Sequence, residues 1–240
     1  MSDVVLIETV GAVRRITMNR PAKMNAMNAE LVEEMISAIT DADQDENIAV
    51  IILAGAGRAF SAGADMSKPT GSPPSAREMQ AAANRGLRFY TCLIETDTPL
   101  IAQVHGYALG GGCNAAVSSD LVVAAKSAVF GYPEVRVGLA ATSVSPPIVH
   151  QIGRKAAFEL LTLCENISAD RALELGMINR VVPDDELADR AMEMAQKLAS
   201  FDHDALWMTK QTIRRAAALP LRAALEMTRD QGLGMKIFDR

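Results

Sequence analysis

The sequence predicts an α/β fold on a parallel sheet, and three observations carry that prediction. Strand, helix and strand patterns alternate over residues 4–53, the order that builds a parallel sheet with crossover helices. Residues 48–53 form an almost wholly apolar run, as expected of a strand buried on both faces. Two further apolar runs, 100–104 and 121–125, bracket a glycine-rich segment that reads as a tight turn and a helix start.

In chain order, residues 4–10 and 13–18 flank Gly11 with β-branched and apolar side chains, which predicts a hairpin. Asn28 is a candidate helix cap, followed by Leu31, Val32, Met35, Ile36 and Ile39 at helical spacing. Residues 67–75 are rich in Pro, Ser and Gly and read as a solvated loop, or as a mobile cover over a ligand. A helix is expected over 76–95, with Leu87, Tyr90, Leu93 and Ile94 as an apolar stripe assigned to the core. Strands follow at 121–125 and 128–130, and Pro133 and Glu134 open a loop. Residues 154–164, 168–175, 186–200 and 204–218 read as helices, with 178–182 extended. No shift of composition splits the chain.

The 240 residues are 49% hydrophobic and 22% charged, an ordinary globular composition with room for a sizeable core. A net charge of −5 argues against a nucleic-acid partner, whose surface needs clustered Lys and Arg. The three cysteines, Cys92, Cys113 and Cys164, have no metal-ligand spacing and suggest no disulfide framework, in keeping with a reducing cytosol. The N-terminus has no signal-peptide pattern, and no run is long enough to span a membrane, so a cytoplasmic location is expected. His105, His150 and His203 lie far apart, and no metal site is expected.

The central stretch is His105-Gly-Tyr-Ala-Leu-Gly-Gly-Gly-Cys-Asn114. Consecutive glycines let a backbone come close to a ligand, and free N–H groups at a helix start hold negative charge. That charge is either a phosphate or an oxyanion formed during a reaction, and this motif alone does not choose. A P-loop lysine and hydroxyl are missing after the glycines, as is a G-x-G-x-x-G fingerprint. A second small-residue turn lies upstream, in Val50-Ile-Ile-Leu-Ala-Gly-Ala-Gly-Arg-Ala-Phe-Ser-Ala-Gly-Ala-Asp-Met66. Two such turns can each aim one N–H at the same oxygen, as a thioester carbonyl turning into an enolate would need.

With Asn19-Arg-Pro-Ala-Lys-Met-Asn-Ala-Met-Asn28 before these turns and Phe130-Gly-Tyr-Pro-Glu-Val-Arg-Val-Gly138 after them, the order and spacing resemble the crotonase (enoyl-CoA hydratase/isomerase) superfamily from about residue 4 to about residue 215. The resemblance implies a spiral of ββα units over 1–195 and a helical trimerisation segment over 196–240, short beside other members, assembling as a trimer or a dimer of trimers. It implies an acyl-CoA thioester as substrate and no cofactor, CoA being part of that substrate.

By match to the family motifs, the oxyanion donors are the N–H groups of Ala64 and Gly111, and the acid/base residue is Glu134. Hydratase members also carry a carboxylate 20 residues earlier, where this sequence has Asn114. An amide cannot take the proton, although it can orient a water or cap a helix. Hydration of a 2-enoyl-CoA and a shift of a 3-enoyl double bond therefore both remain, and so do a decarboxylase, a thioester hydrolase and a non-catalytic CoA-binding protein. The dienoyl-isomerase pattern is excluded, because its acidic positions fall on Asn114 and Thr142. For CoA the match points to Ala22, Lys23, Arg58, Ala62, Asp65, Met66 and Gly110, with Lys23 or Arg58 meeting phosphate and Asp65 equally suited to bracing its own turn. His105 is expected to be a hydrogen-bonded core histidine and Cys113 a packing residue. Leu139-Ala-Ala-Thr-Ser-Val-Ser-Pro-Pro-Ile-Val149 departs from the family pattern and is expected to line the acyl pocket.

Overall fold

A computed structural model describes residues 4–67 and 75–238, with side chains as far as residue 229. Most of the 67–75 stretch expected to be a loop or cover lies outside the described residues. The chain forms two compact units, Met1–Ala199 and Ser200–Arg240.

The first unit opens with β1 (Val5–Val10) and β2 (Val13–Met18), the predicted antiparallel hairpin. Then come α1 (Ala29–Asp43), β3 (Val50–Gly55), β4 (Ala59–Ser61) and α2 (Ala76–Glu95). The middle of the chain supplies β5 (Leu100–Val104), β6 (Tyr107–Leu109), α3 (Gly111–Val117), β7 (Leu121–Ala125) and β8 (Val129–Gly131). After these lie α4 (Ser145–Leu163), β9 (Ile167–Ser168), α5 (Ala169–Glu174), β10 (Arg180–Val182) and α6 (Leu187–Ala199).

The strands sort into two sheets. A six-stranded sheet has the order β1-β2-β3-β5-β7-β10 and a four-stranded one the order β4-β6-β8-β9. Three strands of the first sheet, β3, β5 and β7, are each followed by a short strand of the second, so β3-β4-α2, β5-β6-α3 and β7-β8-α4 are successive ββα units, the spiral expected from the resemblance. Within the small sheet β4, β6 and β8 run parallel. Their C-terminal ends therefore deliver three turns to one edge.

Local chemistry explains the elements. The Asn28 side chain accepts the Leu31 N–H at 3.0 Å to start α1, and Leu31, Val32, Met35 and Ile39 of that helix are buried. Ser75 and Glu78 form a capping box that starts α2, closed by the bond from Ser75 N–H to Glu78 at 2.7 Å. Residues 50–54 of β3 and the apolar residues of β5 are buried, and α6 covers β3, β5 and β7. Each such Leu or Ile contributes roughly 1.5–3 kcal/mol by leaving water.

Several expectations are corrected. Leu87 and Ile94 are 67% and 50% exposed, because the buried stripe of α2 is narrower and runs through Phe89 and Leu93, one turn apart. The central motif holds an extra strand, β6, between its apolar run and its helix. Helix α4 starts at Ser145, with two prolines in its first turn where no N–H bond is lost, and breaks at Gly153. The second unit contains α7 (His203–Ala216), capped by Asp202, and also α8 (Leu221–Phe238), which lies beyond the last individual helix read, 204–218, but within the segment expected to be helical.

Candidate active site

Three turns meet at the end of the small sheet: residues 62–65 after β4, Gly110 and Gly111 after β6, and residues 132–134 after β8. Leu109 pairs with Gly131, and the Gly110 N–H donates to the Gly131 carbonyl at 2.8 Å. A Cβ on Gly63 would lie 2.6 Å from the Leu109 carbonyl oxygen and 3.3 Å from the Gly111 nitrogen, so only glycine permits this approach of the first two turns.

Among the described residues the approach leaves two N–H groups unspent. The Met27 N–H donates to Gly63 at 2.7 Å, and the Asp65 N–H donates to Met27 at 3.1 Å. In this parallel pairing of Met27 with Ala64 the bonds belong to the neighbours of Ala64, and its own N–H points the other way. Gly111 is the first residue of α3, where an N–H has no partner within the helix. The Ala64 nitrogen lies 4.0 Å from the position a Gly111 Cβ would take. Two free donors side by side can hold one oxyanion.

The turn around Ala64 is pinned by a loop that the sequence motif contained without revealing its role. Asn25, fully buried and in left-handed backbone, donates its amide to the carbonyls of Ala56 at 2.9 Å and Ala59 at 2.7 Å. Ser61 donates its hydroxyl to the Asn25 carbonyl at 2.8 Å and accepts the Gly63 N–H at 3.2 Å. Arg20 reaches Asp65 at 2.9 Å and also the Ala26 carbonyl. Bonds from Ser67, followed by the Arg20 guanidinium, pull the Asp65 carboxyl down to about 2. Asp65 thus braces its turn.

Glu134 follows β8, and its carboxylate lies over Gly110: Oε1 is 2.6 Å from the position of a Cβ there. Its Oε2 is buried and has no hydrogen-bond partner among the described residues. Burial pushes this carboxyl above the ordinary glutamate range. A partly buried carboxylate without an ion-pair partner is suited to taking and returning a proton.

Asn114 is fully buried within α3, so the helix-cap alternative is excluded, the cap being Gly110. Neither atom of its amide makes a hydrogen bond among the described residues. Beside it stands Tyr90 of α2, assigned from sequence to the core. Its hydroxyl donates to the Gly111 carbonyl at 3.3 Å. The signal for Tyr90 was present, because a tyrosine on an inward helix face needs a partner for its hydroxyl.

The remaining candidates divide. Ala22 and Lys23 are exposed on a 3₁₀ turn, Pro21–Lys23, just before Met24, whose carbonyl accepts the Ala62 N–H at 2.9 Å. That bond leaves Ala62 only its carbonyl to offer a ligand. Met66 is exposed beside the same turn. Arg58 instead lines a pocket of about 390 Å³ with Gln103, His105, Ser127 and Asp184, which Ala64, Gly111 and Glu134 do not line. His105 is bonded to the Gly57 carbonyl at 2.8 Å and is partly exposed, so it is not a core residue. Cys113 is fully buried, and burial drives its thiol up to about 12, which suits packing and not nucleophilic attack. Among the described residues no group of three or more His, Cys, Asp or Glu could hold a metal ion, and no helix is long and apolar enough to cross a membrane.

Residues 8–236 match the family model described as Enoyl-CoA hydratase/isomerase. A probable enoyl-CoA hydratase of Rhizobium meliloti (strain 1021) is 33% identical, over 98% of this chain and 95% of that protein. The crystal structure of an enoyl-CoA hydratase subunit from Geobacillus kaustophilus HTA426 superposes with a TM-score of 0.90 at 34% identity, covering 98% of this chain and 90% of that one. The structure of a monofunctional enoyl CoA isomerase from M. smegmatis is similar at a TM-score of 0.80 and 28% identity, covering 93% of this chain and 99% of that one.

Proposed function

We propose, from the premise that the chain belongs to the enoyl-CoA hydratase/isomerase family, that it adds water to a 2-enoyl-CoA with Glu134 as its one proton carrier. The carrying observation is the convergence on Gly110 and Gly111 of two unspent N–H donors and one partly buried carboxylate whose Oε2 has no hydrogen-bond partner among the described residues. The thioester oxygen sits between the N–H groups of Ala64 and Gly111. Glu134 takes a proton from water, the water oxygen bonds to Cβ, and the electron pair of the double bond moves through Cα onto the thioester oxygen as an enolate. Glu134 then returns the proton to Cα as the enolate collapses. Each N–H donor contributes about 3 kcal/mol of transition-state stabilisation, the typical loss when one such donor is removed.

Asn114 favours hydration over chemistry without water. A buried amide with both atoms unpaired costs roughly 1–3 kcal/mol per group, and a water held against Glu134 relieves that cost. The second reading, a shift of a 3-enoyl double bond, is favoured by the single carboxylate, since moving one proton between carbons needs no second one. Lys23 and Met66, both exposed, serve as contacts for CoA together with Ala22 and the Ala62 carbonyl. No separate cofactor enters the reaction. The helices from residue 196 onward serve as an assembly segment for a trimer or a dimer of trimers.

Wild type and Glu134→Gln, each incubated with 2-enoyl-CoA and 3-enoyl-CoA in deuterated water, test this by product mass and label position. Hydration of the 2-enoyl substrate without double-bond movement supports the first reading. A 3-enoyl shift without water uptake supports the second, and full activity of Glu134→Gln would remove both.

A further inference from the structure

The turn at residues 62–65 has four N–H groups, and three of them already have acceptors. Ala62 donates to the Met24 carbonyl at 2.9 Å, Gly63 to the Ser61 hydroxyl at 3.2 Å and Asp65 to the Met27 carbonyl at 3.1 Å. Among the described residues only Ala64 of this turn keeps its N–H. The acceptor for Gly63 differs from the other two in being a side chain. A hydroxyl has one proton, and Ser61 gives it to the Asn25 carbonyl at 2.8 Å, so that a lone pair is left facing Gly63.

The Asn25 carbonyl is held in place for this at the expense of backbone strain. Met24 and Asn25 have φ of 49° and 54°, two successive left-handed residues that are not glycine, and such a residue costs roughly 1–3 kcal/mol. That backbone presents two successive carbonyls to the end of β4, Met24 to Ala62 and Asn25 to Ser61. The Asn25 amide fastens the bend to the carbonyls of Ala56 and Ala59, and its Oδ1 accepts the Arg20 N–H at 2.8 Å. Ser61 is fully buried, with its Cβ 2.6 Å from where a Gly112 Cβ would be, so it is wedged between the bend and α3.

We propose that Ser61, oriented by Asn25, is a positioning residue that selects the oxyanion donor: by occupying the Gly63 N–H it fixes the turn so that the Ala64 N–H alone faces the thioester oxygen beside Gly111. The proposal rests on the reading of Ala64 as a donor given above. It assigns Ser61 no proton transfer and no contact with the reacting atoms.

The test reads the carbonyl itself. Saturated short-, medium- and long-chain acyl-CoAs, isotope-labelled at the thioester carbonyl and unable to take up water, are bound to wild type and to Ser61→Ala, and the carbonyl stretch is followed by difference infrared spectroscopy. Hydrogen-bond donors lower that frequency, and with one of two donors misaligned Ser61→Ala should retain about half of the wild-type shift. In turnover of enoyl-CoA, Ser61→Ala should lower kcat roughly 10-fold and change KM by no more than about 3-fold, since what is lost is donor orientation in the transition state. Ser61→Cys, which fills the slot with a weaker donor and acceptor, should lie between the two and serves if Ala impairs folding. Ile39→Val, a small cut in the buried face of α1, is the control for lost stability and should leave the carbonyl shift unchanged. A full wild-type shift in Ser61→Ala and Ser61→Cys, or an equal loss of shift in Ile39→Val, would overturn the proposal while leaving Ala64 as a donor. If wild type itself produces no shift with any of the acyl-CoAs, the oxyanion reading falls and the proposal with it.

Discussion

Gly110 and Glu134 share one volume: Oε1 of the carboxylate lies 2.6 Å from the point a methyl group on Gly110 would occupy. Gly110 also has φ +50°, ψ −124°, a conformation that side-chain-bearing residues avoid. The missing side chain is therefore what lets the acid/base group stand directly over the oxyanion turn.

Gly110→Ala should accordingly lose about 10²-fold or more in turnover, because an ångström of displacement at the reacting centre has that cost. Backbone strain should lower stability by roughly 1–3 kcal/mol. Urea unfolding monitored beside steady-state kinetics separates the two effects. A variant at wild-type turnover would mean that the carboxylate position does not matter.

The raised carboxyl of Glu134 predicts a pH signature. Glu134 must be ionised to take a proton, so kcat/KM should fall on the acid side with a limb above the ordinary glutamate value of 4.5. Because the folded value is raised, the stability linked to this group is present at low pH and lost as pH rises through that value. Glu134→Gln should therefore be more stable than wild type at pH 8, with the gap closing as the pH falls below it. Thermal melts across that range check the sign.

Asp65 has the opposite linkage. Its carboxyl is held at about 2 against an ordinary 3.8, so its stabilisation is complete above about 4 and is lost as pH falls through the folded value. Asp65→Asn should be less stable than wild type at neutral pH, and its urea midpoint should vary less between pH 4 and 2. An unchanged slope in that window would show that Arg20 and Ser67 do not anchor the turn.

The α7 and α8 helices expose Ile213, Leu221 and Leu225. Sedimentation at micromolar concentration should give about three or six times 25.7 kDa. A mass near one chain would refute the assembly proposal.

The parts of the fold legible in the sequence are those with a local cause. The runs at 100–104 and 121–125 became strands with those bounds, and Asn28 and Ser75 mark helix starts with side chains that bond their own first turn. The short strands β4 and β6 carry no such cause, since Ala-Phe-Ser and Tyr-Ala-Leu become strands only because parallel neighbours accept their hydrogen bonds. Helix α4 was half-hidden by Pro146, Pro147 and the break at Gly153, and α8 by the glycines at 232 and 234. Ala64, Gly111 and Glu134 were named through motif order, as candidates. Asn25 and Tyr90 were missed because periodicity tells which face of an element turns inward and not what it meets there.

That the site is assembled from the ends of three parallel strands bears on how the protein refolds. The turns at residues 62–65, 110–111 and 132–134 are separated by tens of residues, and no two are neighbours in sequence, so none can form its share of the site by local search. Loop closure must come first, and contacts of this range are slow to form. Regain of catalytic activity after dilution from denaturant should then lag behind the helical circular-dichroism signal, making turnover a clock for the last step of folding.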